Sequence, residues 1–137
     1  MTEPLDQSPA LQFTLRYLHA VAGGATGEAL AAFLHPDVEH LELPNRYFPK
    51  GNRYDLRGML AAAERGQRNV HNQRYHVRTA VAQGDQVALE LEWTGTLAVA
   101  AGQLPVGHPL RAQLAIFIEL REGRVWRQRN YDAYEAF

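Results

Sequence analysis

From Gln73 onward the apolar residues stop recurring every three or four positions and recur every second one, a change of period that commits the back half of the chain to sheet. Successive side chains of an extended strand point to opposite faces. Leu89 with Leu91, or Leu114 with Ile116 and Ile118, can therefore be buried together only if something packs on one face. Four strands are predicted, over residues 73–82, 86–99, 110–121 and 124–131. Gly84-Asp85 and Glu122-Gly123 suit tight hairpins, whereas Gly102, Pro105, Gly107 and Pro109 mark one longer excursion. The outcome is an antiparallel meander with one face to be covered.

The front half supplies the cover. Ser8-Pro9 is a helix start, because the serine oxygen can accept an orphan N–H and proline pre-sets the first turn. Leu11, Leu15, Leu18 and Ala22 then form one stripe, ended by Gly23-Gly24. A second helix is predicted over 27–34, with Leu30, Phe33 and Leu34 facing inward, and a first strand over 38–43. Residues 45–54 form a connection, with a short strand around Tyr47-Phe48. Asp55 caps a third helix through Arg65 that buries Leu56, Met59, Leu60 and Ala63 and stops at Gly66. Burying each large aliphatic side chain between helices and sheet contributes about 1.5–3 kcal/mol. The expected fold is α+β, a cone-shaped, curved, mixed but mostly antiparallel sheet wrapped around three helices of the N-terminal half. Residues 1–137 read as a single domain, with 1–8 a loose tail.

Composition narrows the function classes. Fourteen Lys and Arg against fifteen Asp and Glu, a net charge of −1, give no global field for nucleic acid or anionic membrane, so neither is expected as a partner. The run of Arg65, Arg68, Arg74 and Arg78 reads as a solvated face. With no cysteine, thiolate nucleophiles and cysteine-ligated metals are excluded. The six histidines fall into no ligand spacing, and Gly23-Gly24 with Gly27 lacks the strand that a dinucleotide-binding turn needs. No metal and no cofactor is expected. A chain without a long apolar run or a basic-then-apolar start is expected to be cytoplasmic.

The order helix, helix, strand, helix, meander, with Leu43-Pro44 and the segment Gly123-Arg124-Val125-Trp126-Arg127-Gln128-Arg129-Asn130-Tyr131-Asp132, resembles the nuclear transport factor two-like superfamily. Within it the chain is similar to SnoaL-like and ketosteroid-isomerase-related proteins, over essentially its whole length. The resemblance implies an apolar pocket inside the cone and a homodimer through the outer sheet face. It also implies that a carboxylate on the last strand, here Asp132, transfers protons. Ketosteroid isomerases instead place their basic aspartate immediately before a proline at the end of the first strand. That position is Leu43 here, so their arrangement is not carried over and Leu43 becomes a wall residue.

The residues themselves support a site of this kind. Strand parity puts Trp126, Gln128, Asn130 and Asp132 on one side, predicted to face the cavity. Val125, Arg127, Arg129 and Tyr131 fall on the other, where Arg127 and Arg129 are expected to meet Glu90 or Glu92 on a neighbouring strand or a second subunit. A carboxyl group in a partly dry pocket gains proton affinity, which makes Asp132 the candidate acid/base, with Asn130 as an oxyanion donor. Asp132 capping a turn or pairing with Arg74 or Arg129 remains the alternative. His40 and Glu42 share a face of the first strand and form a candidate acid/base dyad, unless that edge is simply solvated. Trp126, Gln128, Tyr47, Tyr54 and Leu43 are the expected substrate contacts. The function read from this set is cofactor-independent cyclisation, isomerisation or dehydration of a small apolar carbonyl compound. A non-catalytic ligand-binding or dimerisation module, or a protein-interaction role for the outer sheet, stands beside it.

Overall fold

The computed structural model describes residues 8–135. Ser8 Oγ accepts the Leu11 N–H at 3.2 Å, and helix α1 runs over Pro9–Ala22 with Leu11, Tyr17 and Leu18 buried. Of the expected tail, residues 1–7 lie outside the described residues and Ser8 is the cap. Helix α2 covers only Gly27–Ala31, and strand β1, Leu34–Glu42, begins earlier than its sequence pattern suggests. The cause is tertiary. Phe33 O accepts the Val125 N–H at 2.9 Å and Leu34 pairs with Val125, so the last strand draws residues 33 and 34 out of the helix.

The expected strand at Tyr47-Phe48 is a turn, because Asn45 Oδ1 accepts both their N–H groups, at 3.0 and 3.1 Å. Strand β2 lies at Asn52–Tyr54 instead. Asp55 accepts the Gly58 N–H at 2.8 Å and caps helix α3, Leu56–Asn69. That helix passes through Gly66 rather than ending there, since glycine weakens a helix by only about 1 kcal/mol and packing over the sheet outweighs it.

Strands β3 (Val70–Gln83), β4 (Gln86–Leu97), β5 (Pro109–Arg121) and β6 (Arg124–Tyr134) follow as the predicted meander. At the β5–β6 hairpin Glu122 and Gly123 both take positive φ, 53° and 73°, as a two-residue turn of matching twist requires. The sheet order is β2-β1-β6-β5-β4-β3, and β1 with β6 is its parallel pair. The α+β cone expected from the sequence is thus the observed fold. Its core is the inner face of the sheet, Leu89, Leu91, Leu114, Ile116 and Ile118, closed by Leu11, Leu18, Leu30 and Met59 from the helices. No helix among the described residues is long and apolar enough to cross a membrane.

On the outer face one expected pairing is absent among the described residues. Strand β5 separates β4 from β6, so Glu92 is held by Arg78 at 3.1 Å and Arg111 at 3.8 Å. Arg127 instead donates to Asp37 O at 3.1 Å, and Arg129 lies 5.7 Å over the Phe117 ring.

Candidate functional site

Between the helices and the inner face of the sheet lies a cavity of about 400 Å³. Tyr75, Trp93 and Tyr134 supply aromatic wall, Val21 and Met59 aliphatic wall, and His40, Glu42, Gln128 and Asn130 the polar side. This balance suits a small, mostly apolar ligand oriented by a few polar atoms. Trp93 is fixed by donating its indole N–H to Gln73 Oε1 at 3.0 Å, and Tyr134 meets Trp93 edge to face at 6.1 Å.

Glu42 enters the cavity from the end of β1 because His40 and Glu42 share strand parity, and Asn52 of β2 donates to Glu42 Oε1 at 2.7 Å. Asp132 is on the inner face of β6, between lining residues Asn130 and Tyr134, although it does not itself line the cavity. Burial, then the charge of Glu42 and a hydrogen bond shared with it, push the Asp132 carboxyl up to about 7. Asp132 Oδ1 is enclosed without a hydrogen-bond partner among the described residues. A carboxyl group raised this far can both accept and release a proton near neutral pH. Burial and the Asp132 charge push the Tyr75 and Tyr134 phenols up, so both remain protonated donors.

A second polar series runs up the same wall. Tyr17 donates to Gln128 Oε1 at 2.7 Å, and Gln128 Nε2 donates to Asn130 Oδ1 at 2.9 Å. Asn130 in turn shares a hydrogen bond with His40, whose burial pushes its pKa down to about 4. His40 is therefore neutral at pH 7. Among the described residues, no group of three His, Asp or Glu side chains converges to hold a metal ion.

The SnoaL-like domain family matches residues 14–128 of the chain. This chain belongs to that family. No curated protein matches the sequence. Among solved structures, IdmH of Streptomyces antibioticus, a candidate polyketide cyclase, aligns with a TM-score of 0.75 at 21% identity, over 92% of each chain. A SnoaL-like polyketide cyclase of Agrobacterium tumefaciens aligns at 0.68 and 17% identity, over 96% of this chain and 92% of that one. A Catenulispora acidiphila protein with a ketosteroid isomerase-like fold, in complex with trimethylamine, aligns at 0.66 and 16%, over 88% and 84%. At such identities the likeness establishes the fold alone.

In this SnoaL-like domain His40, Glu42, Tyr54, Gln128 and Asn130 line the cavity, with Asp132 directly against Glu42. Trp126 does not line it. Leu120 pairs with Val125 and Glu119 with Arg127, which leaves Trp126 bulged out of register. The bulge reverses parity at one step, so Val125 is fully buried inside and the Trp126 ring is sandwiched between Arg121 at 4.5 Å and Arg127 at 4.1 Å. Leu43 has the opposite parity to Glu42 and is likewise absent from the lining, its N–H bonding Asn130 O at 3.0 Å. Tyr47 is one layer back, its ring edge-on to Tyr134 at 4.5 Å, and Tyr131 is on the outer face.

Sequence reasoning missed Tyr75, Trp93 and Tyr134 as wall residues of the SnoaL-like cavity, and Arg65 at its rim, where it shares a hydrogen bond with Tyr54. Parity carried from Leu89 and Leu91 reaches Trp93, and parity carried from Asp132 reaches Tyr134, so both had a local signal. Arg65 had none, because its place depends on how α3 lies across the sheet.

Proposed function

We propose that this SnoaL-like chain catalyses cofactor-independent proton transfer on a small apolar carbonyl compound, leading to cyclisation, isomerisation or dehydration. The observation that carries the reading is the Asp132–Glu42 pair, with the Asp132 carboxyl raised to about 7 beside a cavity with an aromatic wall. A base that titrates near the working pH can both remove and return a proton. The pair takes the proton from the carbon next to the carbonyl, which breaks a C–H bond, forms a carboxyl O–H and leaves an enolate. Donors on the His40 and Asn130 side of the cavity stabilise the enolate oxygen. Returning the proton to another carbon isomerises the compound; attack of the enolate carbon on a second carbonyl, whose oxygen takes the proton back from the carboxyl group as the C–C bond forms, cyclises it; and departure of a β-hydroxyl with that proton as water, as the enolate collapses to a C=C bond, dehydrates it.

The test requires no knowledge of the natural substrate. Exchange of the α-hydrogens of aryl and cyclic ketones for deuterium, followed by NMR in deuterated buffer, is expected to be accelerated by the wild-type chain. Asp132→Asn is expected to slow it by about 100-fold or more while the thermal unfolding transition persists. Equal exchange in the two proteins would overturn the reading.

The assembly belongs to the same proposal. The outer face carries an exposed apolar strip, Val81, Phe117 and Tyr131, the two rings 5.8 Å apart, flanked by Arg129 and Glu90. A surface with both charges beside an apolar centre is self-complementary about a two-fold axis, and a second copy of the chain is its occupant.

A further inference from the structure

A cation beside a cavity that already holds acid/base groups is informative when nothing in the fold claims its charge. Among the described residues lining the cavity, Arg65 is the one Lys or Arg. An arginine finds a carboxylate of its own helix three or four positions away, and those positions here are Ala61, Ala62, Arg68 and Asn69. Arg53, Arg78 and Arg111 hold carboxylates at 2.8, 3.1 and 3.8 Å, whereas Arg65 forms no ion pair among the described residues. Nor does it serve the helix end, because α3 runs on to Asn69 and Arg68 is the basic residue of its last turn.

What holds Arg65 is Tyr54. The two share a hydrogen bond, and because a guanidinium only donates, the phenol oxygen accepts. The phenolic O–H is then left to turn toward the cavity, which Tyr54 also lines. Guanidinium and phenol thus offer donors side by side to one oxygen-rich group at the rim. Phe48, 45% exposed, adds apolar surface to the same cavity. The Tyr54 phenol also feels the charge of Glu42, so the carboxyl groups and the guanidinium are near enough to act on one small molecule.

We propose that Arg65, with Tyr54, is a specificity-determining residue that binds a carboxylate on the substrate, so that the compound enolised in the cavity is a keto acid with an apolar body. The inference rests on the acid/base reading above and narrows its substrate class. The planar guanidinium fork matches the two oxygens of a carboxylate, a fit that a hydroxyl or an amide of similar size does not offer. Charge fixes the orientation as well. An anionic group is repelled by Glu42 and drawn to Arg65, which leaves the C–H next to the ketone for the carboxyl groups. A cavity of about 400 Å³ is at the small end of the range for ligand sites, and suits one ring with a short acid chain.

The experiment compares 4-oxo-4-phenylbutanoate with its primary amide, two ketones of nearly the same shape that differ by one charge. Exchange of the hydrogens next to the ketone is followed by NMR in deuterated buffer. The readout is the ratio of kcat/KM for acid over amide, which cancels any general effect of a substitution on folding or chemistry. The full wild-type chain is expected to favour the acid by about tenfold, a modest value because the rim is solvated, with the difference in KM rather than kcat. Arg65→Gln is expected to bring the ratio to about one, and Arg65→Glu to take it below one. Arg65→Lys is expected to keep part of the preference, since the charge remains while the fork is lost. Raising NaCl from about 50 to about 500 mM is expected to shrink the wild-type ratio. A wild-type ratio near one, or a preference that survives unchanged in Arg65→Gln, overturns the inference; if the amide is still exchanged, the acid/base reading survives without it. If neither compound is exchanged, that reading falls, and dissociation constants of both compounds from NMR titration decide the carboxylate site. Tighter binding of the acid that is lost in Arg65→Gln supports it, and equal binding of the two overturns it.

Discussion

Asp132 on β6 and Glu42 on β1 share a hydrogen bond at the sheet's parallel junction, where Glu42 is in register with Asn130. A parallel pair brings two strand ends with the same direction to the same rim, so residues more than eighty positions apart in sequence become one acid/base group. Burial raises Asp132 first, and the Glu42 charge raises it further.

For catalysis the consequence is a pH profile. Ketone exchange by the wild-type chain is expected to rise with an apparent pKa of about 7, set by Asp132, and level off above it. Glu42→Gln removes the charge that helps hold the proton on Asp132, so in this variant the rising limb moves to lower pH. Initial rates across pH 5–9 measure both.

Stability carries two opposing signatures. Folded Asp132 retains, between pH 3.8 and about 7, a proton that the unfolded chain has released, so its contribution makes stability fall as pH rises. Folded His40 lacks, between about 4 and 6.5, a proton that the unfolded chain binds, so its contribution makes stability rise over nearly the same window. Each full shift corresponds to roughly 3 kcal/mol, the Asp132 figure being reduced by partial solvent screening, and in the wild type the two largely cancel. Relative to wild type, Asp132→Asn is expected to gain stability from pH 4 to 7, and His40→Gln to lose it. Urea unfolding at pH 4, 5, 6 and 7 reads both slopes.

Gly51 controls where Glu42 sits. Its φ is +69°, and a Cβ added there would collide with the Glu42 carbonyl oxygen, which is backbone and cannot swing away. Gly51→Ala is expected to cost about 1–3 kcal/mol and to slow ketone exchange by displacing the end of β1. Thermal unfolding together with the exchange rate checks it; an unchanged rate would mean that the position of Glu42 is immaterial.

The outer face gives a test of assembly. Light scattering is expected to give twice the mass of one chain, and Phe117→Glu to give a monomer, because it puts a charge at the centre of the exposed strip. A wild-type chain that remains monomeric at high concentration would refute the two-fold arrangement.

Sequence alone determined what depends on neighbours along the chain. The Ser8 and Asp55 caps, the Glu122-Gly123 hairpin and the alternation that sends Gln128, Asn130 and Asp132 to one face are local geometry, legible from residue types and a period of two. Tertiary structure decided whatever depends on a partner strand. Pairing with β6 converted Leu34 from helix to strand, and the β5 register bulged Trp126 out of the wall while admitting Val125. Only the sheet order set His40 and Glu42 beside Asn130 and Asp132. A strand's own sequence fixes which of its side chains alternate; which strand lies alongside, and in what register, is set by the free energy of burying the whole sheet against the helices.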